Sequence, residues 1–205
     1  MDLSTIEKYD SQKMYKIYDE WPEIAKKSFQ FDYELAEFEN ISHIVFAGMG
    51  GSGAISDIFY SILSKTDIHV DIVKGYLLPK TTDSESLVII TSVSGNTIES
   101  MTILEEAKKI GCKILVFSNG GKMEKFCKEK NIEYRKIPRY HSPRASFVSF
   151  LYSMLKIMQN VLPIQKDEIE ESIEKMKILR NQIYSKNLSE KNPSLALSKW
   201  ISGIP

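Results

Sequence analysis

Between His43 and Ile137, short apolar runs alternate with stretches in which apolar residues recur at helical spacing. The runs His43–Gly48, Ile68–Val73, Leu87–Thr91, Lys113–Ser118 and a shorter Ile132–Ile137 predict five strands. Ala54–Ser64, Glu99–Ile110 (stopped by Gly111) and a short stretch ending near Lys130 predict the helices between them. Residues 1–40 are rich in charge and aromatics, and Pro22 after Trp21 suits the first turn of a helix, so one or two amphipathic helices are expected there. Beyond Pro143, Ala145–Val161, Asp167–Tyr184 and Ser194–Ile201 read as helices, the second with Ile169, Ile173, Met176, Leu179 and Ile183 near a 3.6 period. Strands that are apolar on both faces and separated by helices indicate an α/β fold with a parallel sheet covered on both sides. Right-handed crossovers leave few topologies, and the 2-1-3-4-5 order is the common five-stranded one. The expected fold is therefore a five-stranded parallel sheet flanked by helices, with additional helices at both ends.

In that order the chain reverses direction between the first and third strands, and ligands bind at such a switch point outside the carboxyl ends of the strands. Two glycine-and-serine turns stand at those ends: Gly48-Met49-Gly50-Gly51-Ser52-Gly53 and Ser92-Val93-Ser94-Gly95-Asn96-Thr97. Glycines let the backbone approach an anion, helix N-termini carry partial positive charge, and the hydroxyls of Ser52, Ser92, Ser94 and Thr97 add neutral donors. One such turn can hold one phosphate; two on one sheet suggest a pocket for a phosphorylated small molecule.

Other readings of these turns stand beside that one. Gly48–Gly53 formally satisfies the Gly-x-Gly-x-x-Gly dinucleotide fingerprint, with Asp71 at about the expected distance of twenty residues. Asp71, however, lies inside Ile68–Val73 rather than at its end, and a dinucleotide gives no reason for Ser94-Gly95-Asn96-Thr97. The first turn could also serve backbone geometry alone. The second could simply cap a helix, although capping needs one polar residue and four are present. Pro143-Arg144 precedes the long helix, where Arg144 is either an electrophile over the pocket or a surface residue after a proline turn. His141 is either an acid–base group or a solvated loop histidine. Asn119-Gly120-Gly121 is a turn or part of the pocket rim. His43 and His69 flank or enter strands and call for no functional role.

Composition narrows the partners. Lys+Arg and Asp+Glu are both 27, so no net basic field draws the 205-residue chain to nucleic acid or anionic lipid. Apolar runs such as Ile44–Ala47 and Leu87–Ile90 are too short to span a bilayer, and the N-terminus lacks a signal-peptide pattern. The two cysteines, Cys112 and Cys127, have neither metal-ligand nor disulfide-framework spacing, which fits a reduced, cytoplasmic setting.

Gly48–Gly53 with Asp57 following, Ser92–Thr97, Ser118-Asn119-Gly120-Gly121 and Pro143-Arg144 together resemble the sugar isomerase (SIS) domain. More narrowly, they look like the bifunctional phosphoglucose/phosphomannose isomerases. The likeness runs from about residue 40 to 150. It implies interconversion of aldose and ketose hexose 6-phosphates through a cis-enediolate, with no metal or other cofactor. By the motif match, Ser52, Ser92, Ser94 and Thr97, with Gly95 and Asn96 of the same turn, would hold the phosphate. Gly50, Gly51 and Gly53 would let the backbone close on the sugar, and Arg144 would stabilise the enediolate. Such domains pair, and apolar helices at both ends of this chain need cover, so a homodimer is expected. Family members carry a second SIS domain holding the catalytic Glu and the ring-opening His, and no residue here matches that part. The expected organisation is an N-terminal helical segment (1–40), a SIS sugar-phosphate-binding domain (41–162) and a helical linker (163–205) toward a second SIS domain. The alternatives are a single-domain isomerase of another sugar phosphate, with His141 or Glu99 as first candidates for its base, and a non-catalytic sugar-phosphate-binding regulatory module.

Overall fold

The computed structural model describes residues 3–202. Its elements are α1 (Leu3–Tyr9), α2 (Met14–Asp19), α3 (Trp21–Gln30), β1 (His43–Gly48), α4 (Gly51–Leu63), β2 (His69–Val73), β3 (Leu87–Ser92) and α5 (Ile98–Ile110). There follow β4 (Lys113–Ser118), α6 (Gly121–Lys130), β5 (Glu133–Lys136), α7 (Phe147–Ile157), α8 (Lys166–Ile183) and α9 (Pro193–Ile201). They form two compact units: one is Ser28–Ile164, and the other is drawn from the chain up to Lys27 and from Gln165 onward.

Ser28–Ile164 contains one five-stranded sheet in the order β2-β1-β3-β4-β5, parallel throughout as the alternating pattern predicts. β3 is buried along its whole length, in keeping with a central strand covered on both faces. On one face Val45, Ala47, Val73, Val88, Ile90 and Val116 pack with Ile103, Leu104 and Ala107 of α5 and Met123 and Cys127 of α6. On the other, Phe46 stacks on Phe59 of α4 with ring centroids 5.3 Å apart, and Thr91 meets Met154 of α7. Burying each of these aromatic side chains contributes about 1.5–3 kcal/mol. Gly111, at φ 88°, ends α5 in the left-handed conformation that favours glycine at a helix C-terminus.

Among the described residues, three helices rather than one or two occupy the N-terminal stretch, α1 and α2 in the other unit and α3 continuing to Gln30. The Asp10 carboxylate accepts from the Tyr15 N–H at 2.7 Å and Lys13 turns left-handed at φ 57°, which separates α1 from α2. α8 opens on a reciprocal capping box between Gln165 and Glu168, and the Asn192 side chain caps α9. Arg180 of α8 pairs with Glu23 of α3 at 2.9 Å. No described helix is long and apolar enough to cross a membrane.

Candidate functional site

β1 and β3 are neighbours in register, Gly48 beside Thr91, so both glycine-and-serine turns leave the same edge of the sheet. This is where the strand order reverses. The first turn is tight. A Cβ on Gly48 would lie 2.9 Å from Ser52, and one on Gly53 would lie 2.9 Å from the Gly48 carbonyl. Gly50, at φ 55°, takes the N-cap position of α4 and supplies no side-chain cap. Gly51 stands in open space at the exposed lip. Ser52 is buried, and its hydroxyl makes no hydrogen bond among the described residues.

The second turn reverses at Gly95 (φ 64°), whose N–H donates to the Ser92 carbonyl at 3.0 Å. Thr97 occupies the N-cap position of α5, yet its hydroxyl caps nothing; it lies 2.8 Å from the Ser92 hydroxyl instead. The helix-cap reading of these residues therefore does not describe what the hydroxyls do. Ser94 Oγ accepts from the Asn96 N–H at 3.2 Å, while the Asn96 side chain accepts from the Lys122 N–H at 3.0 Å. Asn96 thus ties the turn to the start of α6. The turn after β4 completes this brace, because Met123 N–H donates to the Gly95 carbonyl at 3.0 Å and Asn119 N–H to the Val93 carbonyl at 3.2 Å. Asn119-Gly120-Gly121 is a buttress for the second turn. Two helix N-termini, those of α4 and α5, are left without side-chain caps above adjacent strands, with hydroxyl donors between them. Such an arrangement is suited to an anion.

Residues 37–159 match the SIS domain. The chain belongs to the SIS-domain family. It is 32% identical over 191 residues to the bifunctional phosphoglucose/phosphomannose isomerase of Caldicellulosiruptor bescii, covering 87% of this chain and 55% of that protein. To the bifunctional phosphoglucose/phosphomannose isomerase of Aquifex aeolicus it is 36% identical over 160 residues, covering 77% and 46%. The chain thus spans about half the length of these curated relatives. The crystal structure of glucosamine-6-phosphate deaminase from Thermotoga maritima shares the fold at a TM-score of 0.62 and 16% identity, over 83% of this chain and 55% of that one.

Within this SIS domain the remaining candidates separate. Arg144 sits just before α7; its carbonyl accepts from Phe147 N–H at 3.2 Å, and its exposed guanidinium makes no hydrogen bond or ion pair among the described residues, with either turn or otherwise. His141 is exposed and left-handed at φ 44°, and only its backbone carbonyl is engaged, by Arg139. Glu99 stands in the first turn of α5, and its charge beside Tyr76 pushes that phenol's pKa up. Asp71 lies on the third position of β2, and its carboxylate faces His43 and His69, away from the strand end where a ribose would bind.

Lys74 is a residue beside the first turn that pattern reading missed. It follows β2, pairs with Asp57 at 2.7 and 2.8 Å, and lies so close that a Cβ on Gly53 would come within 3.2 Å of its Cε. The Lys74–Asp57 ion pair is thereby held against the first turn. The signal of Lys74 was available in outline, since it is the residue immediately after a parallel strand, at the end of the sheet where ligands bind.

Proposed function

We propose that this chain is the phosphate-binding part of an aldose–ketose isomerase of hexose 6-phosphates, interconverting glucose 6-phosphate and mannose 6-phosphate with fructose 6-phosphate. The observation that carries the reading is the pair of uncapped helix N-termini on adjacent strands, with the Ser92 and Thr97 hydroxyls 2.8 Å apart. The phosphate lies between the turns. It accepts from Ser52, Ser92, Ser94 and Thr97 and from backbone N–H groups that Gly50, Gly51, Gly53 and Gly95 leave uncovered. Asn96 and the α6 turn keep those donors in place, so little ordering is left for the binding step. Lys74, partnered by Asp57, places an ammonium N–H donor beside the first turn. Isomerisation then moves one proton from C2 to C1 through a cis-enediolate whose developing negative charge Arg144 stabilises from the loop before α7.

The proton-transferring base and the ring-opening group belong, in this proposal, to a second SIS domain, because neither His141 nor Glu99 contacts the two turns through its side chain among the described residues. The 41–162 domain works with helices on either side of it as a homodimer in the cytoplasm. The test is an assay of the 205-residue chain for conversion of fructose 6-phosphate to glucose 6-phosphate and mannose 6-phosphate, together with calorimetric binding of fructose 6-phosphate. Saturable binding without turnover is expected. Turnover of both products would place the base inside these residues, and absence of binding would overturn the proposal.

A further inference from the structure

At the opposite end of the sheet, roughly 16 Å from the turns by strand rise, three metal-ligating side chains meet. His43 and His69 are the first residues of β1 and β2 and are partners in the parallel register, while Asp71 follows His69 by two positions. A spacing of two on a strand returns the side chain to the same face, so register alone brings all three together. His43 Nε2 and His69 Nε2 lie 3.0 and 3.3 Å from the same Asp71 Oδ2, and the three ligand atoms fall within 4.8 Å of one another. A tetrahedral zinc ion with bonds of about 2.0–2.1 Å requires its donors to be about 3.3 Å apart, a separation that the two histidine–aspartate pairs have.

The protons around Ser86 supply a second, independent observation. The single hydroxyl proton of Ser86 goes to Asp83 Oδ1 at 2.8 Å, and Ser86 Oγ already accepts from Asp83 N–H at 3.1 Å. One lone pair remains, and His43 Nδ1 lies 3.0 Å away, so Nδ1 must be the donor. The hydrogen-bond network thereby assigns the His43 tautomer. Nε2 is then left with its lone pair facing a carboxylate oxygen, a contact that a bound cation relieves. A ligating histidine held through its other nitrogen by a hydrogen-bonded partner is the usual support of a metal site. His43 is mostly covered, whereas the His69 side chain is 64% exposed, so an ion has an open approach.

We infer that His43, His69 and Asp71 form a site for a divalent transition ion of the zinc class, with water completing its coordination. The ion would clip the edge strand β2 to β1 at their amino ends. It is separate from sugar-phosphate binding and independent of the proposed activity. The chain has three histidines, and the third, His141, lies outside the cluster.

The experiment titrates chelator-treated 205-residue chain with zinc chloride by calorimetry, and with cobalt chloride by visible absorption. One zinc per chain is expected, with tetrahedral cobalt bands and a melting temperature raised by roughly 5–10 °C at a hundredfold excess over Kd. His69→Ala and Asp71→Asn each remove a ligand. They should weaken zinc binding at least as much as the roughly 10–100-fold loss expected when Ser86→Ala frees the supporting hydrogen bond. His141→Ala and Cys112→Ser should leave it unchanged. His69 is largely exposed, so its replacement leaves the fold intact. No saturable binding, or binding that survives His69→Ala, would overturn the site and leave hydrogen-bonded histidine–aspartate contacts as the account of the cluster.

Discussion

Gly95→Ala tests how the second turn is held. At φ 64° an alanine incurs the left-handed penalty, about 1 kcal/mol. Steric conflict costs more: its Cβ would sit 1.7 Å from the Gly120 carbonyl oxygen and 2.8 Å from Gly120 C, where real side chains keep at least 3.0 Å. Both obstacles are backbone, so the two turns must separate by about an ångström, stretching the Met123-to-Gly95 and Lys122-to-Asn96 hydrogen bonds. Overpacking of this kind costs about 1–3 kcal/mol, which gives roughly 2–4 kcal/mol in all. Gly111→Ala supplies the control. Gly111 also has positive φ, 88°, but nothing lies within 4 Å of its Cβ position, so only the conformational penalty of about 1 kcal/mol applies. Both tryptophans, Trp21 and Trp200, lie outside the sheet unit. Hydrogen exchange of β3 and β4 amides across a urea series is therefore the suitable readout. If Gly95→Ala is no more destabilising than Gly111→Ala, the claim that α6 braces the turn is wrong.

Ser94→Ala should weaken fructose 6-phosphate binding by about 1–2 kcal/mol in a calorimetric titration, the scale of a hydrogen bond to a charged group; unchanged affinity would remove Ser94 from the site. Arg144→Ala should leave the melting temperature unchanged, since its guanidinium is exposed and unpaired among the described residues. In an enzyme that turns over, it should lower kcat far more than it raises KM; equal effects would make Arg144 a ground-state binder. Burial pushes the Cys127 thiol up to about 11 from 9.0. Above pH 9 the unfolded chain loses this proton and the folded chain keeps it, so stability falls as pH rises from 9 to about 11, by roughly 2–3 kcal/mol. Cys127→Ala should flatten that part of the stability–pH curve, and an unaltered slope would contradict the burial argument.

Much of the fold was legible because parallel strands buried on both faces leave apolar runs, and glycines mark their ends. The order β2-β1-β3-β4-β5 followed from the alternation and the handedness of crossovers. The extra break in the N-terminal stretch was not legible, since it depends on the Asp10 carboxylate reaching the Tyr15 N–H. Both turns were visible as strings of residues, but what their hydroxyls do was not. Thr97 stands at an N-cap and still turns to Ser92, and Asn96 serves α6, a partner 26 residues away. Lys74 and the His43, His69 and Asp71 cluster depend on long-range partners in the same way, Lys74 on Asp57 of α4 and His43 on the two β2 residues. The spacing of two between His69 and Asp71 is local, but what brings His43 to them is the register of β1 against β2.

The central claim is that the two turns together hold the phosphate of a sugar. The most direct measurement is a titration of the 15N-labelled chain with fructose 6-phosphate, followed through its backbone amide resonances. Saturable shifts concentrated at Gly50–Gly53 and Ser92–Thr97, reproduced by inorganic phosphate and diminished in Ser94→Ala, are the predicted result. Shifts that do not saturate, or that centre elsewhere on the chain, would contradict it.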